Sequence, residues 1–554
     1  MDRDRHLERT RAKGVNPLVY WIVRALLQPF FHVYFRMSRI GREHVPQEGP
    51  VILAANHRSF LDPFVIATLA RRPIYFVAKK ELFKHPVVAW LLTCLGAFPI
   101  DRGNGDEDAM ATAREILERG DGVLIFPEGT RIRPGGLAEP RRGVGRLALE
   151  TGAPVVPVAV IGTEAVRRGW RFRPHKVRIR AGAPLTFPKV ASPSPQLAKA
   201  VTERIWPCVM LQWEWLGGTP PIRRAAVIGA GSWGTGIAVA LARAGVQVDL
   251  GTRTGDQAAL LAEARVNDRY LPGTVLPENL AVGRAADLDL GQHDLVVFAV
   301  PSRALPEAVA AHGAHVTERA GVVVAATGLV APHGALPSAF VAERTPARAV
   351  ACLAGPAHAS DALEHGAALV AASADKGFAR QVADLLGRAG LYAETSFDVV
   401  GVELAGTAKS AAALAAAAAA PAGGPNAAGA AAGRVFAEVD ALARSRGAHA
   451  QTFTGLAGAG DLVATVVAAS SGNHRAGELL AQGRTAPDIE PELGQTAEAL
   501  DTLPLLVRAL EEGGVPAPAT AGLAALVEGR MDHADWAQTV TAPPQRRGRF
   551  VRAA

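Results

Sequence analysis

Apolar residues in this chain fall into short unbroken runs separated by longer amphipathic stretches. VILAA (51–55), IYFVA (74–78) and APVVPVAVIG (153–162) are each about one strand long and show no polar alternation, the pattern of strands buried on both faces. GVLIFPEG (122–129) reads as a strand that runs into a turn at Pro127 and Gly129. ELFKHPVVAWLLTCL (81–95) has a helical rhythm instead. This alternation predicts an α/β domain. Gly and Pro then cluster in EWLGGTPPIRR (214–224), a linker signal. A second α/β unit follows at once. AAVIGAGSWGTGIAVALARAGVQVDLGTR (225–253) reads strand, glycine-rich turn, helix, strand, and DLVVFAVPS (294–302) and GVVVAAT (321–327) are further buried strands. From about residue 402 the sequence turns Ala-rich and helical. Pro421, inside SAAALAAAAAAPAGG (410–424), should interrupt that helix.

The predicted fold class is therefore multidomain α/β: an α/β N-terminal domain, a doubly wound Rossmann domain and an all-helical C-terminal domain. The expected boundaries are a basic N-terminus with a surface helix (1–35), the first domain (36–213), a linker (214–224), the dinucleotide-binding domain (225–401), the helical domain (402–540) and a fraying Pro- and Arg-rich tail (541–554). A length of 554 residues exceeds what one hydrophobic core usually serves.

LVYWIVRALLQPFFHVYF (18–35) is apolar and aromatic, but Arg24, Gln28, Pro29 and His32 interrupt it. A spanning helix needs about 20 mostly apolar residues. A helix lying in the membrane interface fits better, a buried first helix being the plain alternative. The charged start, MDRDRHLERTRAKG, leads into no clean signal-cleavage pattern. The expected location is cytoplasmic, peripheral at the inner face of the cell membrane. Lys and Arg number 59 against 52 Asp and Glu, a mild excess that suits anionic partners without choosing among them. Cys94, Cys208 and Cys352 are too scattered for a disulfide framework or a metal knot. VRRGWRFRPHKVRIR (166–180) holds seven Arg or Lys and no acid. It reads as a solvated hairpin face or as a surface for lipid headgroups or carrier phosphate. No nucleic-acid reader motif accompanies it.

The first chemistry-bearing stretch is NHRSFLD (56–62). His57 is a candidate general base, and Asp62 on its other ring nitrogen would fix the tautomer. The spacing alone is common and equally suits a capped turn. Further blocks accompany it: GAFPIDR (96–102), FPEGTR (126–131) and VVPVAV (155–160). Together they resemble the glycerol-phosphate acyltransferases, especially the lysophosphatidate (1-acylglycerol-3-phosphate) acyltransferases, over roughly residues 35–200. The resemblance implies that His57 deprotonates the acceptor hydroxyl and that Asp62 orients His57. It implies that Arg102, Glu128, Gly129 and Arg131 handle the acceptor phosphate. The acyl donor would be acyl-CoA or acyl carrier protein, the acceptor lysophosphatidate or glycerol 3-phosphate, with no metal.

The second constellation is Gly229, Gly231 and Gly234 between a strand and a helix, a G-x-G-x-x-G turn that would seat a dinucleotide pyrophosphate with Ser232 and Trp233 at the helix start. Asp249 lies within the second strand and Arg253 follows it, so the reading leans to NADP over NAD. NDRYLPG (267–273), LAGPAHA (353–359), GVELAGTAKS (401–410), GLAGAGDLVAT (455–465), SGNHRAG (471–477) and LGQTAE (493–498) extend a resemblance to NAD(P)-dependent glycerol-3-phosphate dehydrogenase from residue 225 to about 535. It implies that Lys409 moves the proton at the C2 oxygen of dihydroxyacetone phosphate, supported by Asp461. It places Gly355, Thr465, Asn473 and His474 around the substrate and Glu498 near the nicotinamide. This chain departs from the family pattern at Thr327 and Gly472, where cations are usual, at Ser410, and at His358, where Phe is usual. One lost charge-assisted hydrogen bond costs roughly 1.5–3 kcal/mol, and His474 and Arg475 stand near enough in sequence to compensate in part. Two readings stay open: a fused pair of enzymes in glycerophospholipid synthesis, with homodimerisation a further expectation, or an acyltransferase carrying a degenerate coenzyme-binding or scaffolding domain.

Overall fold

The computed structural model describes residues 10, 14–100, 107–132, 137–168, 171–468, 471–494 and 496–541. Arg102 and the tail beyond residue 541 lie outside them. The chain forms two compact units, Met1–Pro221 and Ile222–Ala554.

The first unit is built on β1 (Ser38–Ile40), β2 (Val51–Ala55), β3 (Ile74–Lys79), β4 (Ala97–Ile100), β5 (Gly122–Ile125), β6 (Val155–Ile161), the two-residue ribbon β7 (Arg167–Arg168) and β8 (Arg171–Phe172), and β9 (Arg178–Ala181). Seven of these form one sheet in the order β1-β9-β6-β2-β5-β3-β4, parallel except for the β6–β9 pair. The unbroken apolar run of β2 now has its explanation. Val51, Leu53 and Ala55 enter a core shared with helices Pro17–Tyr34 and Asp62–Ala67, while Ile52 and Ala54 enter a second core under helices Glu107–Glu118, Gly143–Thr151 and Pro195–Trp215. The 81–95 stretch divides into a tight turn at Lys80–Phe83 and a helix, Pro86–Cys94, with Pro86 in its first turn where a missing N–H does no harm.

In the second unit β10 (Arg224–Ile228), β11 (Gln247–Thr252), β14 (Leu280–Arg284), β15 (Leu295–Phe298), β16 (Gly321–Val324), β17 (Ala349–Ala354), β18 (Ala368–Ser373) and β19 (Tyr392–Ser396) form a sheet in the order β14-β11-β10-β15-β16-β17-β18-β19. A small antiparallel ribbon, β12 (Val266–Asn267) and β13 (Leu271–Val275), stands apart from it. The β17–β18 pair is antiparallel and the other pairs of the large sheet are parallel. The chain runs outward from β10 to β11 on one side and from β15 on the other, so a crevice opens at their carboxyl ends.

Helix Val399–Ser445 organises the helical half. Its break falls not at Pro421 but at Gly423 (φ −166°, ψ 25°) and Gly424 (φ 64°, ψ −154°). Pro425 disfavours the helical conformation of the residue before it, and glycine takes the left-handed region without strain. The alanine run is core: Ala411–Ala419 is buried, and a Cβ on Gly477 would lie 2.4 Å from the Leu414 carbonyl oxygen. Small residues on both helices permit that approach. Among the described residues this helix alone is long and apolar enough to cross a membrane, and it is mostly buried within the unit.

Glu403, on the same helix, is buried and accepts hydrogen bonds from the Ser338 N–H and Oγ, each at 2.7 Å. Burial raises its carboxyl from the ordinary 4.5 to about 7. Across that window the unfolded chain releases the proton while the folded chain keeps it, so folded stability falls as pH rises and levels off above about 7. The loss is roughly 3 kcal/mol. Glutamine can accept from the Ser338 N–H and donate to its Oγ. Thermal melts of wild type and Glu403→Gln should therefore converge at acid pH and separate toward pH 7, with the variant the more stable.

Candidate active sites

Asn56, His57 and Arg58 follow the carboxyl end of β2, Glu128 follows β5, and Thr163 follows β6. The three strands are neighbours and parallel, so their loops meet. The Asn56 side chain accepts from the Val160 N–H at 2.8 Å and donates to the Val160 carbonyl at 3.0 Å, which extends the β2–β6 pairing one residue into the loop. His57 Nδ1 lies 2.9 Å from Asp62 Oδ2. That oxygen also accepts from the Arg58 N–H at 2.6 Å and the Ser59 N–H at 2.7 Å, and Thr163 Oγ1 donates to Oδ1 at 2.5 Å. Asp62 is fully buried, so these donors replace its water. The His57 ring stacks on Phe126, with centroids 4.0 Å apart and planes inclined by 19°. One edge is held by a carboxylate and one face by an aromatic ring, which leaves Nε2 for proton transfer.

Glu128 has backbone partners. It accepts from the His57 N–H at 2.6 Å and the Ala138 N–H at 3.0 Å. Burial raises its carboxyl to about 7, against the lowering effect of those two hydrogen bonds. Its carboxylate therefore braces the loop by joining the His57 and Ala138 backbones. Gly129 turns with φ 68°, and a Cβ there would lie 2.9 Å from Arg141 Nε. Arg131 is exposed beside Ile132, whose N–H donates to the His57 carbonyl at 2.9 Å. Asn56 and Phe126 stood inside quoted motifs without a role, while Thr163 and Arg141 carried no sequence signal at all.

In the second unit Gly229 follows β10 with φ 115°, and a Cβ there would meet the Ala299 carbonyl oxygen at 2.4 Å. A Cβ on Gly234 would lie 1.9 Å from the Gly229 oxygen, so helix Ser232–Arg243 packs directly on the turn. A Cβ on Gly231 would meet nothing within 4 Å. That position faces open space, the clearance a dinucleotide needs. The turn opens on a cleft with lobes of about 720 and 560 Å³ that share Ser232, Trp233, Arg269, Tyr270, Asn473 and Gly494. Asp249 is engaged inside the sheet, 2.7 Å from His293 Nε2 and 3.4 Å from Arg224, and the His293 hydrogen bond holds its carboxyl below the usual range. Arg253, exposed after β11, is left at the strand end.

Lys409 and Asp461 line the smaller lobe, with Lys409 Nζ 3.1 Å from each Asp461 oxygen. The Gly355 N–H donates to Asp461 Oδ2 at 3.1 Å, so Gly355 serves the aspartate. Thr465 and Asn473 line the same lobe, and Asn473 Oδ1 accepts from the Ala499 N–H at 3.1 Å. His474 is not among the lining residues. One helical step past Asn473, its ring turns to Glu478 on its own helix at 3.5 Å, while Arg475 lines the lobe. Glu498 lines the larger lobe and accepts from the Ser302 N–H at 2.8 Å, the Thr327 N–H at 3.2 Å and Thr327 Oγ1. Among the described residues no group of three or more His, Cys, Asp or Glu could hold a metal ion.

The acyltransferase family model matches residues 36–161. Models of the N-terminus and C-terminus of NAD-dependent glycerol-3-phosphate dehydrogenase match residues 224–379 and 398–538. The NAD(P)+ glycerol-3-phosphate dehydrogenase of Methylibium petroleiphilum is 37% identical over 316 residues, which span 56% of this chain and 93% of that protein. The chain belongs to the glycerol-3-phosphate dehydrogenase family. The corresponding protein of Deinococcus radiodurans is 38% identical over 312 residues, 56% of this chain and 92% of its own. The crystal structure of glycerol-3-phosphate dehydrogenase from Coxiella burnetii shares 28% identity and covers 57% of this chain and 98% of its own, with a TM-score of 0.54. The protein thus joins an acyltransferase-like domain to a glycerol-3-phosphate dehydrogenase-like, NAD(P)-binding pair of domains.

Two substitutions probe these arrangements. Glutamine at 128 offers one acceptor where two backbone N–H groups need one each, so Glu128→Gln should lower the melting stability of the first unit by roughly 1–3 kcal/mol, unlike Glu403→Gln. Gly231→Val should leave the melting temperature unchanged, because its side chain meets only open space, and should weaken NAD(P)H binding at least tenfold by fluorescence titration. Equal coenzyme affinity would mean that the turn does not face the ligand.

Proposed function

We propose that this chain is a bifunctional enzyme of glycerophospholipid synthesis: it acylates lysophosphatidate or glycerol 3-phosphate, and it interconverts dihydroxyacetone phosphate and glycerol 3-phosphate. The first activity is carried by the His57–Asp62 pair. His57 Nε2 takes the proton of the acceptor hydroxyl as its oxygen attacks the thioester carbonyl of acyl-CoA or acyl carrier protein. Asp62 keeps the proton on Nδ1 and stabilises the imidazolium. The thiol then leaves with the proton returned by His57. Arg131, and Arg102 by the family resemblance, would hold the acceptor phosphate as bidentate guanidinium donors. Helix Pro17–Tyr34, with apolar side chains on its outer face, supports a peripheral position at the inner face of the cell membrane.

The second activity is carried by Lys409 in the cleft. Its ammonium protonates the C2 oxygen during reduction of the ketone and takes the proton back in the reverse direction. Asp461, itself held by Gly355, keeps Lys409 aimed. Gly229, Gly231, Ser232, Trp233 and Gly234 would hold the coenzyme, whose nicotinamide supplies the hydride when bound. Arg253 favours NADP through the extra phosphate. One observation favours a second reading. Glu498 is latched to Thr327, where the family places a cation, so a dehydrogenase-like domain that binds coenzyme without turnover is the rival.

Both activities can be read on one full-length preparation. His57→Ala should cut acyl transfer by roughly 10²–10⁴-fold and leave NAD(P)H oxidation by dihydroxyacetone phosphate intact. Lys409→Ala should do the reverse. Wild-type protein that binds NADPH but never oxidises it with this substrate would establish the rival reading.

A further inference from the structure

Two positions at which the dehydrogenase family usually carries cations supply none in this chain. Thr327 gives its N–H and its Oγ1 to Glu498, and Gly472 has no side chain to offer. Charge is nevertheless divided unevenly between the two lobes of the cleft. In the larger lobe Arg303 meets Glu490 at 2.6 Å, and Glu498 lines the same space. Among the described residues lining the smaller lobe, Asp461 is the one acid, against Arg269, Lys409 and Arg475. Asp461 is engaged by Lys409 at 3.1 Å. No lining acid remains for the two arginines. Both stand on backbone that is fixed. Arg475 lies near the start of helix Gly472–Ala481, where Ser471 caps the first turn and the Asn473 side chain holds the Ala499 N–H at 3.1 Å. Arg269 lies in the turn of the β12–β13 ribbon, its guanidinium 5.1 Å above the Tyr270 ring. Asn267, in the same ribbon, is buried and donates to the Ala230 carbonyl at 3.0 Å and to Thr235 Oγ1 at 2.7 Å. The ribbon is thereby fastened to the coenzyme turn and to the helix that follows it.

We propose that Arg475, seconded by Arg269, is the phosphate anchor of the smaller lobe in this chain, and that it sets the preference for a phosphorylated three-carbon ligand over the unphosphorylated one. This rests on the reading of the second unit as acting on dihydroxyacetone phosphate and glycerol 3-phosphate, and it names the residues that replace the cations missing at 327 and 472. Charge complementarity supports it. A phosphomonoester carries roughly −2 at neutral pH, which two guanidinium groups neutralise. Each can grip two phosphate oxygens at once. The start of helix Gly472–Ala481 adds the positive end of its dipole to the same lobe. Lys409 shares the lobe with Arg475, so a ligand held there by its phosphate presents its other end to the ammonium. The coenzyme pyrophosphate has a separate place, at the turn of Gly231 and Gly234 that lines the larger lobe.

The test is calorimetric titration of glycerol 3-phosphate into the full-length protein saturated with NADPH. Both ligands are then in their reduced forms, so the site is read without turnover. Arg475→Gln should weaken glycerol 3-phosphate by roughly 10–100-fold. NADPH affinity and melting temperature should stay unchanged, because the Arg475 side chain is exposed and no part of the core. Arg475→Lys should recover part of the loss, as a charge without the planar fork. Adding Gly472→Arg to Arg475→Gln should recover affinity by returning a cation to the position where the family carries one. In turnover, Arg475→Gln should raise the KM for dihydroxyacetone phosphate far more than it lowers kcat, and should shrink the preference over dihydroxyacetone. Equal glycerol 3-phosphate affinity in Arg475→Gln and wild type would overturn the proposal. So would a loss confined to NADPH, or wild-type protein that binds glycerol as well as glycerol 3-phosphate. Wild-type protein that holds glycerol 3-phosphate through Arg475 but never oxidises NADPH with dihydroxyacetone phosphate would instead reject the turnover reading and leave the anchor standing.

Discussion

Parallel strands cannot be joined by a tight turn. Each must return through a crossover, and the crossover carries the loops to one edge of the sheet. Both units of this chain inherit their sites from that constraint. In the first, the loops after β2, β5 and β6 meet at the carboxyl edge and bring together His57, Glu128 and Thr163, which are up to 106 positions apart in the sequence. In the second, the reversal of strand order between β10 and β15 opens the crevice into which Gly231 faces. The hydrophobic requirement is the same in both: a sheet covered by helices on its two faces leaves only its edge for chemistry.

Buried carboxylates then do different work according to what donates to them. Asp62 receives four donors and stays the fixed partner of His57. Glu128 receives two backbone N–H groups and braces the loop from below. Asp461 receives one backbone N–H and the Lys409 ammonium, and so aims a cation into the cleft. Glu498 ties the turn after β15 and the loop at Thr327 to the helix Glu498–Glu512. Asp62, Glu128 and Asp461 are buried and stripped of water, Glu498 is half-buried at the cleft, and in each case the position of the donors sets what the acid holds in place.

Much of this was legible before any coordinates. The α/β rhythm, the dinucleotide turn and the motif blocks all depend on local chain properties: strand-length apolar runs, glycines at turn positions, a histidine five residues before an aspartate. What was not legible depended on contacts between distant segments. Thr163 meets Asp62 only because β6 lies beside β2. The family resemblance placed Glu128 with the phosphate-handling block, and only the folded loop shows its side chain turned inward to two backbone amides. His474 shared a motif with Asn473, but one helical step of rotation carried it out of the cleft. Pro421 marked a helix break that the following Gly-Gly-Pro took over, since only glycine tolerates the conformation of residue 424.

The alanine run shows the division most plainly. By composition it said helix and nothing more. In the folded unit it is buried between helices, because small side chains there let the Leu414 carbonyl approach Gly477 and so bring Lys409 and Asn473, on two helices, to one cleft. The sequence by itself determined which segments are strands and helices, where the coenzyme turn lies and which histidine and lysine are candidates for proton transfer, since these follow from periodicity and from residues a few positions apart. Only the tertiary structure decided which carboxylate braces the loop and which one meets the His57 ring, that Asp249 is engaged inside the sheet, and that the basic hairpin leans on the His57 loop. Those outcomes depend on which side chains burial brings together and on how each buried charge is then satisfied.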